Sequence, residues 1–214
     1  MSDSTIDIPV VILAGGSGTR MGGRDKCLLP LGSSTVLEII LATLRAQTKT
    51  VYLNINGDKH RFDHYNLPVI QDTISPPVGP LGGLVSVCEH VFAQHPNGQW
   101  LLTVAGDCPF LPKDLLATLY ASIESHQGVS PHVVYCHSQE RDHFVVALWS
   151  RSVIPQLHAF LESGQRSVGR FINTQPHIRV EFDRKGIDPF FNINTDEQWS
   201  IAKAAIQNTS SVQP

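Results

Sequence analysis

The stretch Leu13-Ala14-Gly15-Gly16-Ser17-Gly18-Thr19-Arg20-Met21-Gly22-Gly23-Arg24-Asp25-Lys26 sets five glycines directly behind the apolar run Val10-Val11-Ile12-Leu13. That run is β-branched and does not alternate with polar residues, which fits a strand covered on both faces. Glycines after such a strand let backbone N–H groups approach phosphate oxygens without interference from a Cβ. Arg20, Arg24 and Lys26 bring positive charge to the same place. A flexible surface turn with incidental basic residues competes as an explanation. It is the weaker one, because strand, glycines and cations coincide at the carboxyl edge of a sheet, where α/β proteins bind ligands.

Local cations matter because the chain as a whole has few. Its 214 residues carry 16 Lys+Arg and 19 Asp+Glu, a formal net charge of −3, and charged residues make up only 16%; an ordinary soluble domain has roughly 25%. General nucleic-acid binding needs a basic surface to displace counterions, so no nucleic-acid partner is expected. With 42% hydrophobic residues, 16 Gly and 14 Pro, the chain is too apolar for disorder, and four Cys are too few for a disulfide scaffold. At this length roughly 70% of the unfolded surface can be buried, enough for one self-sufficient core. Met1-Ser2-Asp3-Ser4-Thr5 has neither a basic nor an apolar leader region, and Ser2 stands where N-myristoylation requires Gly. No apolar run approaches the roughly 20 residues that span a bilayer. A soluble, cytoplasmic protein without membrane contact is expected. Cys27, Cys88, Cys108 and Cys136 are scattered and form no C-x-x-C pair, so reduced thiols are predicted rather than a zinc site or disulfides.

Outward from the glycine-rich stretch, a helical pattern over 35–47 puts Leu37, Ile40, Leu41 and Leu44 on one face. Short apolar strands follow: Val51-Tyr52-Leu53, ending at Asn54, and Pro68-Val69-Ile70, ending at Gln71-Asp72. Pro80 suits the first turn of a helix carrying Leu84, Val85, Cys88 and Val91 inward. A buried strand over 100–105 closes on Gly106-Asp107, and 113–125 reads as helix. Strand and helix alternating in this way predict a parallel α/β sheet. Beyond 125 the rhythm changes. Strands are expected at 133–135 and 144–149 with a polar turn between them, helices near 152–163 and 167–173, and a strand at 177–182. Thr195-Asp196-Glu197-Gln198 has the capping-box pattern of a last helix. One domain over 10–207 is expected, with an N-terminal extension (1–9) and a frayed tail (208–214). His60 and His64 stand at i, i+4 without a third ligand, which favours a solvated helix over a metal site.

Three phosphate-binding patterns fail on the glycine-rich stretch. A Walker loop spaced on Gly18 and Gly23 meets Arg24-Asp25 where Lys-[Ser/Thr] is required. A dinucleotide-binding G-x-G-x-x-G from Gly16 meets Met21, and its second strand ends in Asn54 where an acidic residue would hold the ribose. A hydrolase elbow from Gly15 meets Thr19 in its last glycine position.

What remains resembles the N-terminal loop of the molybdenum cofactor guanylyltransferases, through Leu13-Ala14-Gly15-Gly16, Arg20-Met21-Gly22 and Asp25-Lys26. Three later segments resemble the same family: Gly79-Pro80-Leu81-Gly82-Gly83-Leu84, Gly106-Asp107-Cys108-Pro109, and Phe190-Phe191-Asn192-Ile193-Asn194-Thr195. Taken alone, each also reads as ordinary turn or cap chemistry. Arg141-Asp142-His143 resembles the family's R-x-H-P, with Phe144 in place of the proline, and Arg166 falls in a basic stretch. The resemblance implies an α/β, three-layer Rossmann-like nucleotidyltransferase fold with a mostly parallel central sheet. It implies transfer of GMP from GTP to the terminal phosphate of molybdopterin, with pyrophosphate released. Arg20, Lys26 and Asp107 would be catalytic, and Asp107 would hold Mg²⁺, a hard cation that prefers oxygen ligands, with Asn194 as a candidate helper. Leu13, Ala14, Gly15, Lys26, Asn54, Asp72 and Asp107 would bind the nucleotide. Gly79, Gly83, Arg141, Asn192 and Asn194 would receive the molybdopterin. Transient contact with molybdenum-insertion or molybdoenzyme-maturation proteins follows from such a product. A cytidylyltransferase or sugar-phosphate nucleotidyltransferase is the enzymatic alternative, and a non-catalytic nucleotide-binding module the alternative of another class.

Overall fold

The structure, a computed structural model, describes residues 7–15, 25–74, 79–182 and 186–210, with side chains to 207. Its first half contains β1 (Val10–Leu13), a small antiparallel pair β2 (Pro30–Leu31) and β3 (Ser34–Thr35), then α1 (Val36–Arg45), β4 (Val51–Ile55) and β5 (Val69–Gln71). Next come α2 (Pro80–Gln94), β6 (Trp100–Ala105) and α3 (Leu115–Glu124). The remainder is β7 (Val133–Ser138), β8 (Arg141–Ser150), α4 (Ile154–Glu162), α5 (Val168–Ile172), β9 (His177–Glu181) and α6 (Asp196–Ser210).

β1 lies inside a seven-stranded sheet of order β5-β4-β1-β6-β8-β7-β9. It pairs in parallel with β4 and β6, and β4 in parallel with β5. β8 pairs antiparallel with both β6 and β7, and β7 in parallel with β9, so β8 runs against the other six. The absence of alternation in β1 has a direct cause. Val10 and Ile12 pack into one core with Leu37, Ile40 and Leu44 of α1 and Leu115 of α3. Val11 packs into a second core with Leu81, Val85 and Cys88 of α2 and Leu157 of α4. Each such side chain contributes about 1.5–3 kcal/mol when fully buried, and the two cores make the molecule three layers deep. α1 begins with a complete capping box, Thr35 accepting from Glu38 N and Glu38 accepting from Thr35 N.

Two expectations differ from the structure. The polar turn expected between 135 and 144 shrinks to Gln139-Glu140, because the polar residues around it are strand. His137 bonds Asp142 at 2.7 Å and Ser138 bonds His143 at 2.8 Å across the hairpin, so their polarity is satisfied without solvent. The β7–β8 register jumps from Tyr135 opposite Ala147 to Cys136 opposite His143, which bulges Phe144 to Val146 out of the ladder. The helix expected around His60 and His64 is a 3₁₀ segment, Lys59–Tyr65, in which His60 bonds Asp63 at 3.0 Å and His64 stacks on Tyr65. Among the described residues no helix is long and apolar enough to cross a membrane.

Candidate active site

Parallel pairing brings the carboxyl ends of β5, β4, β1 and β6 side by side. Ala14 N donates to Asn54 O at 2.8 Å and Gly106 N to Leu13 O at 2.9 Å, extending both ladders one step past β1. A Cβ on Gly106 would stand 3.1 Å from Ala14 Cβ and Leu13 O, so only glycine lets these backbones meet without adjustment. Asn56 Nδ2 donates to Gly15 O at 3.0 Å and tethers the start of the glycine-rich stretch. Gly16 to Arg24, which include Arg20, lie outside the described residues.

On the β4–β5 side, Asn54 is buried and donates through Nδ2 to Ile70 O (3.2 Å) and Asp72 Oδ1 (2.9 Å). Gly83 of α2 lies against the same pair, a Cβ there reaching 3.2 Å from Asp72 Oδ1. Gly83, expected beside the second substrate, thus shares space with Asn54 and Asp72.

On the β6 side, Lys26 Nζ donates to Asn194 Oδ1 and stands 3.8 Å from Asp107 Oδ2. Asn192 Nδ2 donates to Asp107 Oδ1 at 2.8 Å, and Ile193 N donates to Asp107 O at 3.0 Å. Four residues spread from 26 to 194 therefore form one corner. The cap of α6 secures it. Gln198 N donates to Thr195 Oγ1 at 3.2 Å, but Gln198 Oε1 accepts from Asn194 N at 2.8 Å, one residue earlier than a standard box. Asp25, next to Lys26, pairs with Arg61.

Beyond this corner opens a cavity of about 490 Å³ lined by Asp107, Asn192, Asn194, Arg141, Phe144 and Arg166. Arg141 is exposed at the start of β8. Arg166 Nη1 donates to Leu161 O (2.8 Å) and Gln165 O (2.7 Å), which aligns the guanidinium at the end of α4. Pro80, beside Gly79, also lines the cavity, and Gly79 holds a positive φ of 81°, with nothing among the described residues within 4 Å of where its Cβ would stand. The nearby thiols are not nucleophiles: burial pushes Cys27 up to about 12 and Cys108 well above its usual range.

Residues 10–178 match the family described as the MobA-like NTP transferase domain. The chain belongs to that family. The molybdenum cofactor guanylyltransferase of Mesorhizobium japonicum is 40% identical to this MobA-like chain over 209 residues, covering 96% of it and 99% of the relative. Molybdopterin-guanine dinucleotide biosynthesis protein A from Archaeoglobus fulgidus shares the fold with a TM-score of 0.74 at 19% identity, over 94% of this chain and 100% of that one. A Mycobacterium tuberculosis protein solved in complex with manganese shares it with a TM-score of 0.66 at 18% identity, over 92% and 98% of the two chains.

A divalent cation fits this MobA-like site on the chemistry of its donors. Among the described residues no three His, Cys, Asp or Glu side chains gather into a cage. Asp107 offers one carboxylate facing the cavity, the kind of oxygen donor a hard divalent cation shares with substrate phosphates. Asn56, Arg61 and the reach of Gln198 to Asn194 are additions that motif reading did not supply. The alternation Asn54-Ile55-Asn56 at a strand end was a usable signal for Asn56. Nothing local in the sequence links Arg61 to Asp25, 36 positions away.

Proposed function

We propose that this chain transfers GMP from GTP to the terminal phosphate of molybdopterin, forming molybdopterin guanine dinucleotide and releasing pyrophosphate. The observation that carries this is the Lys26–Asp107 corner, which stands between two sites of different character. One side holds Leu13, Ala14, Gly15, Asn54 and Asp72 at the strand ends. The other is an arginine-flanked cavity large enough for a second anionic substrate. The 40% identity to a guanylyltransferase over nearly the whole of both chains supports GTP as the donor.

The nucleophile is a phosphate oxygen, already ionised at neutral pH, so no general base is required. Its lone pair forms the new bond to the α-phosphorus of GTP as the α–β bridging bond breaks, and pyrophosphate leaves with that electron pair. The protein's task is in-line positioning and neutralisation of charge. Lys26 supplies a fixed cation at the corner, and Arg20 has the same role in the glycine-rich stretch. Asp107, with Asn194 beside it, would hold Mg²⁺, which when bound neutralises charge on the α-phosphate and the leaving pyrophosphate. Leu13, Ala14 and Gly15 present backbone groups to the base and ribose, and Asn54 and Asp72 close that side. Gly83, expected beside the acceptor, packs against that pair. Gly79, Arg141, Asn192 and Asn194 receive the acceptor, with Arg166 as a second cation. Cytoplasmic reaction and handover of the product to molybdoenzyme-maturation proteins complete this reading.

Purified protein offered each NTP with Mg²⁺ and molybdopterin tests the proposal. Pyrophosphate release is expected to need the acceptor and to be fastest with GTP. Preference for CTP, or for a sugar phosphate as acceptor, would move the chain to a neighbouring transferase class. Nucleotide binding without release, whatever the acceptor, would make it a non-catalytic module.

A further inference from the structure

A polar set at the turn end of the β7–β8 hairpin, in which Ser138 and His143 are buried and His143 also borders the arginine-flanked cavity, has no part in the transfer as derived above. Ser138 Oγ donates to Asp188 Oδ1 at 2.7 Å and lies 2.8 Å from His143 Nε2. A carboxylate only accepts, so the one hydroxyl proton of Ser138 is committed to Asp188, and Ser138 Oγ accepts from His143 Nε2–H. Burial pushes the His143 pKa down while the Asp188 carboxylate pulls against it, leaving the ring neutral at neutral pH. This polarity is the reverse of the one that activates a serine, where the imidazole accepts the hydroxyl proton. The set is therefore not a nucleophile.

Its second face touches the catalytic corner. Asp188 Oδ1 also accepts from Phe190 N at 2.9 Å, and the His143 ring packs on the Phe190 ring at 4.8 Å. Phe190 O accepts from Cys108 Sγ at 3.5 Å, next to Asp107. From Phe190 the chain runs straight into Asn192 and Asn194, which bond Asp107 and Lys26. We propose that Asp188, clamped by Ser138 and His143, is a positioning residue that latches the segment 190–194 onto the β7–β8 hairpin and so holds Asn192 and Asn194 where they aim Asp107 and Lys26. This rests on the transfer reaction proposed above.

Two variants separate the latch from general packing. Asp188→Ala removes both acceptor bonds, whereas Asp188→Asn keeps an oxygen for Ser138 and Phe190 N in nearly the same shape. The latch predicts that Asp188→Ala lowers kcat at least tenfold with the KM for GTP within twofold. Asp188→Asn should stay within threefold of the parent. Cys108 supplies a readout independent of activity, since the residue is only 1% exposed and its thiol bonds Phe190 O and Asn192. Native-state alkylation by iodoacetamide, mapped by peptide mass, should accelerate at least tenfold at Cys108 in Asp188→Ala. It should remain unchanged at Cys88, which lies in the opposite core. Equal acceleration at both cysteines, equal damage by Ala and Asn, or an Asp188→Ala kcat within twofold of the parent would overturn the latch. If the parent protein transfers nothing, the functional proposal fails and the labelling contrast alone decides the latch.

Discussion

Phe144 stands where the related R-x-H-P pattern has proline, and its ring meets Gly169 of α5 so closely that the pair should be energetically coupled. A Cβ on Gly169 would lie 2.6 Å from Phe144 Cε2, 2.8 Å from Cδ2 and 3.1 Å from Cζ. Carbon atoms rest at about 3.5–4.0 Å, so Gly169→Ala forces the ring back by about 1 Å. The ring is held on another side by Tyr135, with centroids 5.2 Å apart. Overpacking of this kind costs about 1–3 kcal/mol, offset by up to about 1 kcal/mol from replacing a helical glycine by alanine. A net loss of about 0–3 kcal/mol is expected. Adding Phe144→Ala removes the clash, so the double variant should be more stable than the sum of the singles by about 1–3 kcal/mol. Because Phe144 lines the cavity proposed for the acceptor, Gly169→Ala should also raise the KM for molybdopterin severalfold and leave that for GTP unchanged. A urea-unfolding double-mutant cycle with steady-state kinetics reads all of this. Additivity of the two substitutions within about 0.5 kcal/mol, or a KM change confined to GTP, would refute the reasoning.

Lys26→Ala and Asp107→Ala should each lower kcat by about 10²–10³, the usual cost of losing one preorganised electrostatic contact. Their unfolding free energies should fall by only about 0–1 kcal/mol, since the pair is partly exposed. Gln139 and Glu140 hold positive φ of 47° and 60° in the β7–β8 turn, so Gln139→Asn with Glu140→Gly should raise stability by about 1 kcal/mol in urea titration. All four thiols are buried with raised pKa. The unfolded chain releases their protons near pH 8.5–9 while the native state keeps them, so their stabilising contribution is intact below that range and is lost as pH rises. The expected slope is about 1.4 kcal/mol per pH unit for each thiol. For Cys27 it should continue to about pH 12, and Cys27→Ala should flatten the alkaline limb by that amount.

The layers were legible because burial on both faces leaves an unalternating run such as Val10 to Leu13, and because α1 shows one apolar face. Polar patterning misled where polar groups satisfy one another. His137, Ser138, Asp142 and His143 read as a turn, yet they pair across two strands. In the site, Lys26, Asp107, Asn192 and Asn194 were legible singly through local motifs. Their meeting depends on contacts up to 168 residues apart, which no spacing rule encodes. Gly83 was grouped by its motif with the acceptor, and its place one turn into α2 adds a contact with Asp72 and Asn54 that the motif does not encode. Gln198 shows a similar limit. The capping pattern fixes which residues are near, while the geometry decides that Asn194 N rather than Thr195 N receives the side chain.

A crystal structure with GTP and Mg²⁺ bound tests the central claim most directly, because it shows whether the Lys26–Asp107 corner is where the phosphates lie. The account predicts the triphosphate against Lys26 and the start of the glycine-rich stretch, and the metal on Asp107. It predicts the base and ribose beside Asn54 and Asp72, with the arginine-flanked cavity left open. Triphosphate seated in that cavity, or a metal held away from Asp107, would contradict it.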